Sequence, residues 1–372
     1  MKVNNCIIGK RHEDWAQMHS LWCYVPLCLV FMPLLMSCSV IDEDRDDCVE
    51  HAKMYYELRL VTNITTEMTT QLTTQTDIKL GNALHDYLDD IFTDYAHDVD
   101  LSFYDTVGDS IRLQHDEHFM DANQASYTLN LPMRQYMHLA TANILDNDLV
   151  TLAYDEKCHP SMLRQVDRDT IDSHTTGLFT ARQPIEVLEG VDQNFNVSLF
   201  MANCAAALVI DPRGHDTDGI KVYATGFATG FQICDSAYVF PEKSPIVRTT
   251  MITPEDGGDE LGFCCVTFPS REAQENETRS VIETEEPFIS ETSDESLWEF
   301  RVYVPRPSSQ GTRTGESITE SILHIKKSQR AGQMTIVKVY MGDDGEMKSS
   351  DQEVGVSVTL DWTPGGIYHP EF

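Results

Sequence analysis

Val99, Asp100, Leu101, Ser102, Phe103, Tyr104, Asp105 is the stretch that sets the structural period of this chain. Apolar Val99, Leu101 and Phe103 alternate with Asp100, Ser102 and Tyr104, the two-residue repeat of a strand with one apolar face. Asp105 to Asp109 turns the chain, and Ile111 and Leu113 open a second strand. The repeat recurs on both sides. Tyr56, Leu58 and Leu60 alternate with Glu57, Arg59 and Val61, and further strands are expected at 127–131, 137–142, 149–154, 178–182 and 185–188. One segment breaks the pattern. Leu80, Leu84, Leu88, Ile91 and Phe92 recur at helical spacing with Asp86, Asp89 and Asp90 between them, which predicts one amphipathic helix.

A charged, Gly-containing segment at 189–194 reads as a linker, and the second half is more regular. Strand regions are expected at 197–210, 220–233, 246–252, 261–268, 297–304, 318–326, 334–341 and 354–362. Met341, Gly342, Asp343, Asp344, Gly345 suits a hairpin turn, because glycine adopts positive φ without strain. The polar stretches 272–296 and 305–315, like the Thr-rich tract 63–76, read as loops. Many short strands, turn signals and few helices predict an all-β protein of β-sandwich class.

The N-terminus reads as an export leader. Lys2, Lys10 and Arg11 precede an uncharged apolar run, Leu21 to Met36, which contains Pro26 and Pro33. Its 16 residues fall short of the roughly 20 that a spanning helix needs. Basic residues, an apolar run and small Ser37 are the order of a secretory signal. Leu35, Met36, Ser37, Cys38 resembles a bacterial lipobox, which implies cleavage between Ser37 and Cys38 and lipid attachment at Cys38. Two or more acyl chains such as palmitate anchor where a single chain does not. The expected division is 1–37 signal peptide, 38–50 acidic tether with Asp42, Glu43, Asp44, Arg45, Asp46 and Asp47, 51–192 N-terminal β domain and 193–372 C-terminal β domain. The chain beyond residue 37 is long enough for two domains of about 150 residues.

With 60 acidic against 27 basic residues, net −33, the chain is a poor partner for nucleic acid or anionic lipid, whose phosphates need clustered Lys and Arg. Membrane attachment would rest on the lipid. Cys48, Cys158, Cys204, Cys234, Cys264 and Cys265 remain beyond the leader and Cys38; export permits disulfides, but 15 full pairings are open and no specific bridge is favoured. Cys204, Cys234 and Cys264 lie in apolar segments, where buried free thiols are equally expected. Vicinal Cys264 and Cys265 should point to opposite faces, with at most one in a core.

No nucleophile elbow, zinc-protease helix or phosphate-binding loop is present, so no catalytic residue, cofactor or metal is expected. His115, Asp116, Glu117, His118 is the densest ligand cluster, and a polar turn accounts for it. Trp298, Tyr303, Tyr340, Trp362 and Tyr368 are the candidates for a sugar-binding face, although strand alternation places Tyr303 and Tyr340 in the core.

Cys38, Cys48 ten residues on, the run Val99 to Asp105 followed by Gly108, the segment 136–143 and the closing strand 354–362 together resemble Bacteroidales fimbrial anchor proteins of the FimB-like class. The resemblance implies two tandem transthyretin-like, Greek-key β-sandwiches on an outer-membrane, surface-exposed lipid anchor. It implies a fimbrial shaft subunit as partner, joined by strand addition, and no enzymatic activity. It leaves a shaft or tip role, or a glycan- or protein-binding adhesin on the same fold, as the alternative.

Overall fold

The computed structural model describes residues 51–61, 71–72, 74–92, 96–106, 112–119, 126–145, 147–153, 157–188, 192–254, 257–272, 296–306 and 317–361. The expected signal peptide, Ser37, Cys38, Cys48, the expected acidic tether, most of the Thr tract, Trp362 and Tyr368 lie outside the described residues. Among those described, no helix is long and apolar enough to cross a membrane.

Among the described residues the fold is mostly β, with strands in four sheets and one long α-helix; residues 71, 72, 74 and 75, in the tract expected as a loop, are helical as well. The first sheet has seven strands: β1 (His51–Val61), β2 (Val99–Asp105), β3 (Arg112–Phe119), β4 (Ser126–Pro132), β5 (Gln135–Ala142), β9 (Phe179–Glu186) and β10 (Gln193–Met201), in the order β3-β2-β5-β9-β10-β1-β4. β10 pairs in parallel with β1. The strand just past the expected boundary at 192/193 thus belongs to the opening sheet. Strand regions 178–182 and 185–188 are one strand, β9, which runs through Pro184. Proline is tolerated there because β10 pairs only with the other end of β9, at Phe179 and Thr180, and leaves the backbone beside Pro184 without a β10 partner.

The apolar region 197–210 divides at Ala202 and Asn203. Its second part, β11 (Cys204–Asp211), enters a five-stranded sheet with β16 (Thr250–Ile252), β17 (Leu261–Thr267), β20 (Met334–Met341) and β21 (Met347–Lys348). Asn203 is buried and secures the crossing: its Oδ1 accepts from the Leu178 amide and its Nδ2 donates to the Thr176 carbonyl. A six-stranded sheet contains β8 (Thr170–Ile171), β12 (Lys221–Thr225), β15 (Ile246–Arg248), β18 (Trp298–Arg306), β19 (Ser317–Ile325) and β22 (Val354–Asp361). The fourth, with four strands, is made of β6 (Val150–Ala153), β7 (Met162–Gln165), β13 (Gly230–Gln232) and β14 (Ala237–Val239).

The five-stranded sheet is apolar on both faces. Ala205, Ala207, Val209, Cys264 and Val266 join a core with the first sheet and the helix, while Ala206, Leu208, Ile210, Phe263 and Cys265 join the core of the six-stranded sheet. Cys264 and Cys265 do point to opposite faces, but both are buried, because both faces are covered. β2 departs from its pattern for the same reason: all seven of its residues are buried, Asp100, Ser102 and Tyr104 included. Tyr104 packs with Leu163 and Phe231 of the four-stranded sheet, and its hydroxyl lies 2.7 Å from Ser161 Oγ.

The expected helix is α1 (Ile78–Ile91). Asp77 caps it, its carboxylate accepting from the Leu80 amide at 2.8 Å. Leu80, Leu84, Leu88 and Ile91 form the buried stripe, and Phe92 follows them into the core. The helix end is tied to the five-stranded sheet: the Asp77 amide donates to Glu260, which also pairs with Lys338. Gly262 of β17 lets the helix approach, since a Cβ there would lie 2.7 Å from Leu80 Cδ1.

Two substitutions test this packing. Leu84→Ala should lower unfolding free energy in urea by about 2–5 kcal/mol through the cavity it leaves. Gly262→Val should cost about 1–3 kcal/mol by driving Leu80 off the sheet, with a strand-dominated circular dichroism spectrum retained in both.

Candidate functional site

Strand β1 is the first described element after the expected tether, and the sheet depends on it. It is hydrogen-bonded on both sides, to β10 in parallel from Met54 to Val61 and to β4 antiparallel from His51 to Glu57. β4 has no other strand neighbour among the described residues, and β10 meets β9 only at Phe200 and Met201. Without β1, β4 and most of β10 would lose their backbone partners. A slot one strand wide would open between Tyr127, Leu129 and Leu131 on one wall and Val197, Leu199 and Met201 on the other, all of them buried.

Period-two alternation seats the strand. Met54, Tyr56 and Leu58 point into the core, and Tyr55, Glu57 and Arg59 face solvent. Tyr56 is held by a specific bond. Its hydroxyl lies 2.6 Å from His138 Nε2 on β5, and His138 Nδ1 lies 3.0 Å from the Ser102 carbonyl on β2. A carbonyl oxygen only accepts, so Nδ1 carries the proton and Nε2 accepts from Tyr56. The imidazole stacks on Phe103, ring centroids 4.4 Å apart. Burial pushes the His138 pKa down to about 4 and the Tyr56 hydroxyl well up, so both stay neutral across the physiological range. Sequence reasoning found the strand but not this bond, because Tyr56 and His138 are 82 residues apart.

A second strand-level feature is β22, which pairs with β19 on one side and has no strand on the other among the described residues. Such an edge offers unpaired backbone donors and acceptors to an incoming strand.

The other sequence candidates disperse. Residues 115–118 lie along β3, and the described side chains of Asp116, Glu117 and His118 alternate between its two faces. His118 instead meets Asp100, Nδ1 to Oδ2 2.6 Å, and burial raises the Asp100 carboxyl to about 6 against the opposing pull of His118. Of the aromatic candidates, the three among the described residues are taken up by contacts within the fold: Trp298 packs between Phe227 and Phe300, Tyr303 is buried, and the Tyr340 ring is covered by the Arg213 guanidinium at 3.7 Å. A groove of about 490 Å³ not anticipated from sequence gathers Arg164, Arg168 and Lys243 with Asp167 and Asp169. These residues come from segments far apart in the chain.

The buried imidazole makes the fold acid-sensitive. Unfolded histidine titrates near 6.5 and folded His138 near 4. As pH falls through that window the unfolded chain takes up a proton that the folded chain refuses, so stability drops, by roughly 3 kcal/mol at pH 4. His174, also lowered to about 4 by burial, acts in the same sense, and Asp100 opposes both because its folded carboxyl protonates first. In urea melts, His138→Gln should flatten the decline between pH 6.5 and 4, whereas Tyr56→Phe should cost about 1–3 kcal/mol with little change of slope.

No family model matches the chain, and no curated protein matches it. Solved structures do. A candidate adhesin from Bacteroides thetaiotaomicron is 9% identical, with 83% of this chain and 96% of that one covered at TM-score 0.47. The fimbrial anchor protein Mfa2 from Porphyromonas gingivalis is 10% identical, with 86% and 100% covered at TM-score 0.41. A fimbrial assembly protein from Parabacteroides distasonis is 12% identical, with 84% and 99% covered at TM-score 0.36. At low sequence identity, the chain is similar in structure to Bacteroidales fimbrial anchor and assembly proteins and to candidate adhesins.

Proposed function

We propose that this chain is an exported lipoprotein, held in the outer membrane by lipid on Cys38, that anchors or terminates a fimbria by binding a fimbrial subunit through strand addition. The fold in this reading comprises two tandem transthyretin-like sandwiches, and its work is mechanical, not catalytic. The observation that carries the reading is the double pairing of β1. A pull on a lipidated N-terminus acts along β1, and ladder hydrogen bonds run across a strand. The pull therefore loads the bonds on both sides of β1 together. An anchor needs that arrangement.

The same pairing bears on proteolysis. Arg59 sits within β1 opposite Ser198 of β10, so its peptide bond is engaged in the sheet although its side chain is exposed. Arg45 belongs to the tether, where cleavage would separate fold from lipid. Mass spectrometry of the protein isolated from its native host should therefore find an acylated N-terminus at Cys38. A mature start after Arg45 or Arg59 would overturn the anchor role in favour of a shaft role. Deletion of the gene should shed or lengthen fimbriae, and attached, unchanged fimbriae would count against the reading.

The groove bearing Arg164, Arg168 and Lys243 supports a second reading, an adhesin that takes an acidic saccharide, since clustered cations are unusual in so acidic a chain. On a glycan array, binding to carboxylated or sulfated sugars should be lost in an Arg164→Glu, Arg168→Glu double variant. Absence of any saccharide signal from the parent protein would dismiss that reading.

A further inference from the structure

At one end of the four-stranded sheet, two dipeptides of ligand-forming residues face each other. Cys158 and His159 lie in the turn before β7, and Cys234 and Asp235 in the turn after β13. Because β7 and β13 are antiparallel neighbours, with Met162 opposite Gln232, these turns meet. Cys158 and Cys234 form a disulfide with Cα atoms 5.9 Å apart. The flanking residues pair as well: His159 Nδ1 lies 2.8 Å from Asp235 Oδ1. A ring nitrogen of His159, Cys234 Sγ and an Asp235 carboxylate oxygen all lie within 4.8 Å of one another. Both cysteines are buried, while His159 and Asp235 are exposed, so the cluster opens to solvent on its nitrogen and oxygen side.

Backbone hydrogen bonds brace these turns alongside the bridge. The Ser161 amide donates to the Cys158 carbonyl, the Ile233 amide to the Ser161 carbonyl and the Ser236 amide to the Ile233 carbonyl. Opening the disulfide would free Cys234 Sγ beside His159 and Asp235, with the thiol of Cys158, its former partner, next to Cys234. Two sulfurs, one nitrogen and one oxygen make a four-ligand set of the kinds that zinc takes tetrahedrally, at about 2.3 Å to sulfur and 2.0–2.2 Å to nitrogen and oxygen. A disulfide sulfur, by contrast, has no thiolate charge to offer. The chain's net charge of −33 raises the local concentration of divalent cations around it.

We propose that Cys158, His159, Cys234 and Asp235 form a redox-gated zinc site, closed as a disulfide when oxidised and open to Zn²⁺ when reduced. The opening step is thiol–disulfide exchange with a dithiol. The dithiol gives two electrons and two protons, becomes a cyclic disulfide and leaves Cys158 and Cys234 as thiols. Binding of Zn²⁺ then releases both thiol protons and displaces Asp235 from its bond to His159, freeing nitrogen and oxygen for the metal.

The test uses the full chain in detergent, either oxidised or reduced with dithiothreitol and then desalted without air. Each form is titrated with Co²⁺, which reports thiolate ligation by a charge-transfer absorption band, and then with Zn²⁺ to displace it. The reduced protein should take up one equivalent of Co²⁺ with the thiolate band, lose the band to one equivalent of Zn²⁺, and the oxidised protein should show no band. His159→Ala and Asp235→Asn are surface changes that leave the core intact, and each should weaken the affinity of the reduced protein at least tenfold. Cys158→Ser with Cys234→Ser should abolish the band. A band of equal strength in the oxidised protein, in the double serine variant, or in both surface variants would overturn the proposal, as would no band in the reduced parent.

Discussion

A sheet that is apolar on both faces must be covered on both faces, and the architecture follows from that requirement. The run Cys204 to Ile210 carries no charge and no side chain suited to water, and all seven residues are buried. Its neighbours β17 and β20 bring Val266, Met334 and Ile336 to one side and Phe263, Val337 and Val339 to the other. One side is closed by α1 together with the first sheet, the other by the six-stranded sheet around Trp298, Phe300 and Leu323. Burying each large apolar side chain is worth about 1.5–3 kcal/mol, so leaving either side open would forfeit a large part of the favourable free energy. This explains why α1 interrupts a β-rich chain. Its stripe of Leu80, Leu84, Leu88 and Ile91 supplies apolar cover that a further strand at that place would supply only with a free edge.

The first strand is tied into the fold more firmly than its position near the chain start suggests. β1 provides the only strand partner of β4 among the described residues and most of the partners of β10. Beneath it, Tyr56, His138 and Ser102 link β1, β5 and β2 by hydrogen bonds that are buried throughout. Backbone pairing supplies resistance to a pull, and the Tyr56 bond fixes which residue sits over which. A slip of β1 by one residue would turn Tyr56 to solvent and leave a buried imidazole nitrogen without its donor.

The candidate sites differ in how far apart their residues lie in the chain. The expected leader, cleavage position and lipid attachment at Cys38 rest on local patterns, whose reading needs only neighbours in the chain. The Cys158–Cys234 bridge, the Tyr56–His138 bond and the Arg164, Arg168, Lys243 groove join residues that only folding brings together. The cluster that looked densest in sequence, His115 to His118, lies along a single strand, β3, while a metal-like grouping of His159, Cys234 and Asp235 arises from two ordinary dipeptides 76 residues apart. Adjacency in a strand separates side chains, and adjacency of two turns collects them.

By itself, the sequence determined the β class, the alternation of strands such as β1 and β2, and the helix, because alternation at two and at 3.6 residues is a local consequence of backbone geometry. It also determined that any polar side of β2 would carry Asp100 and Ser102. Only the tertiary structure decided that this side is buried, that β10 returns to the first sheet, that the region 197–210 divides between two sheets, and that both Cys264 and Cys265 lie in cores. The physical reason is the same in each case. A strand's own sequence sets which residues share a face, but what covers that face is set by distant segments, and the free energy of covering it belongs to the assembled layers.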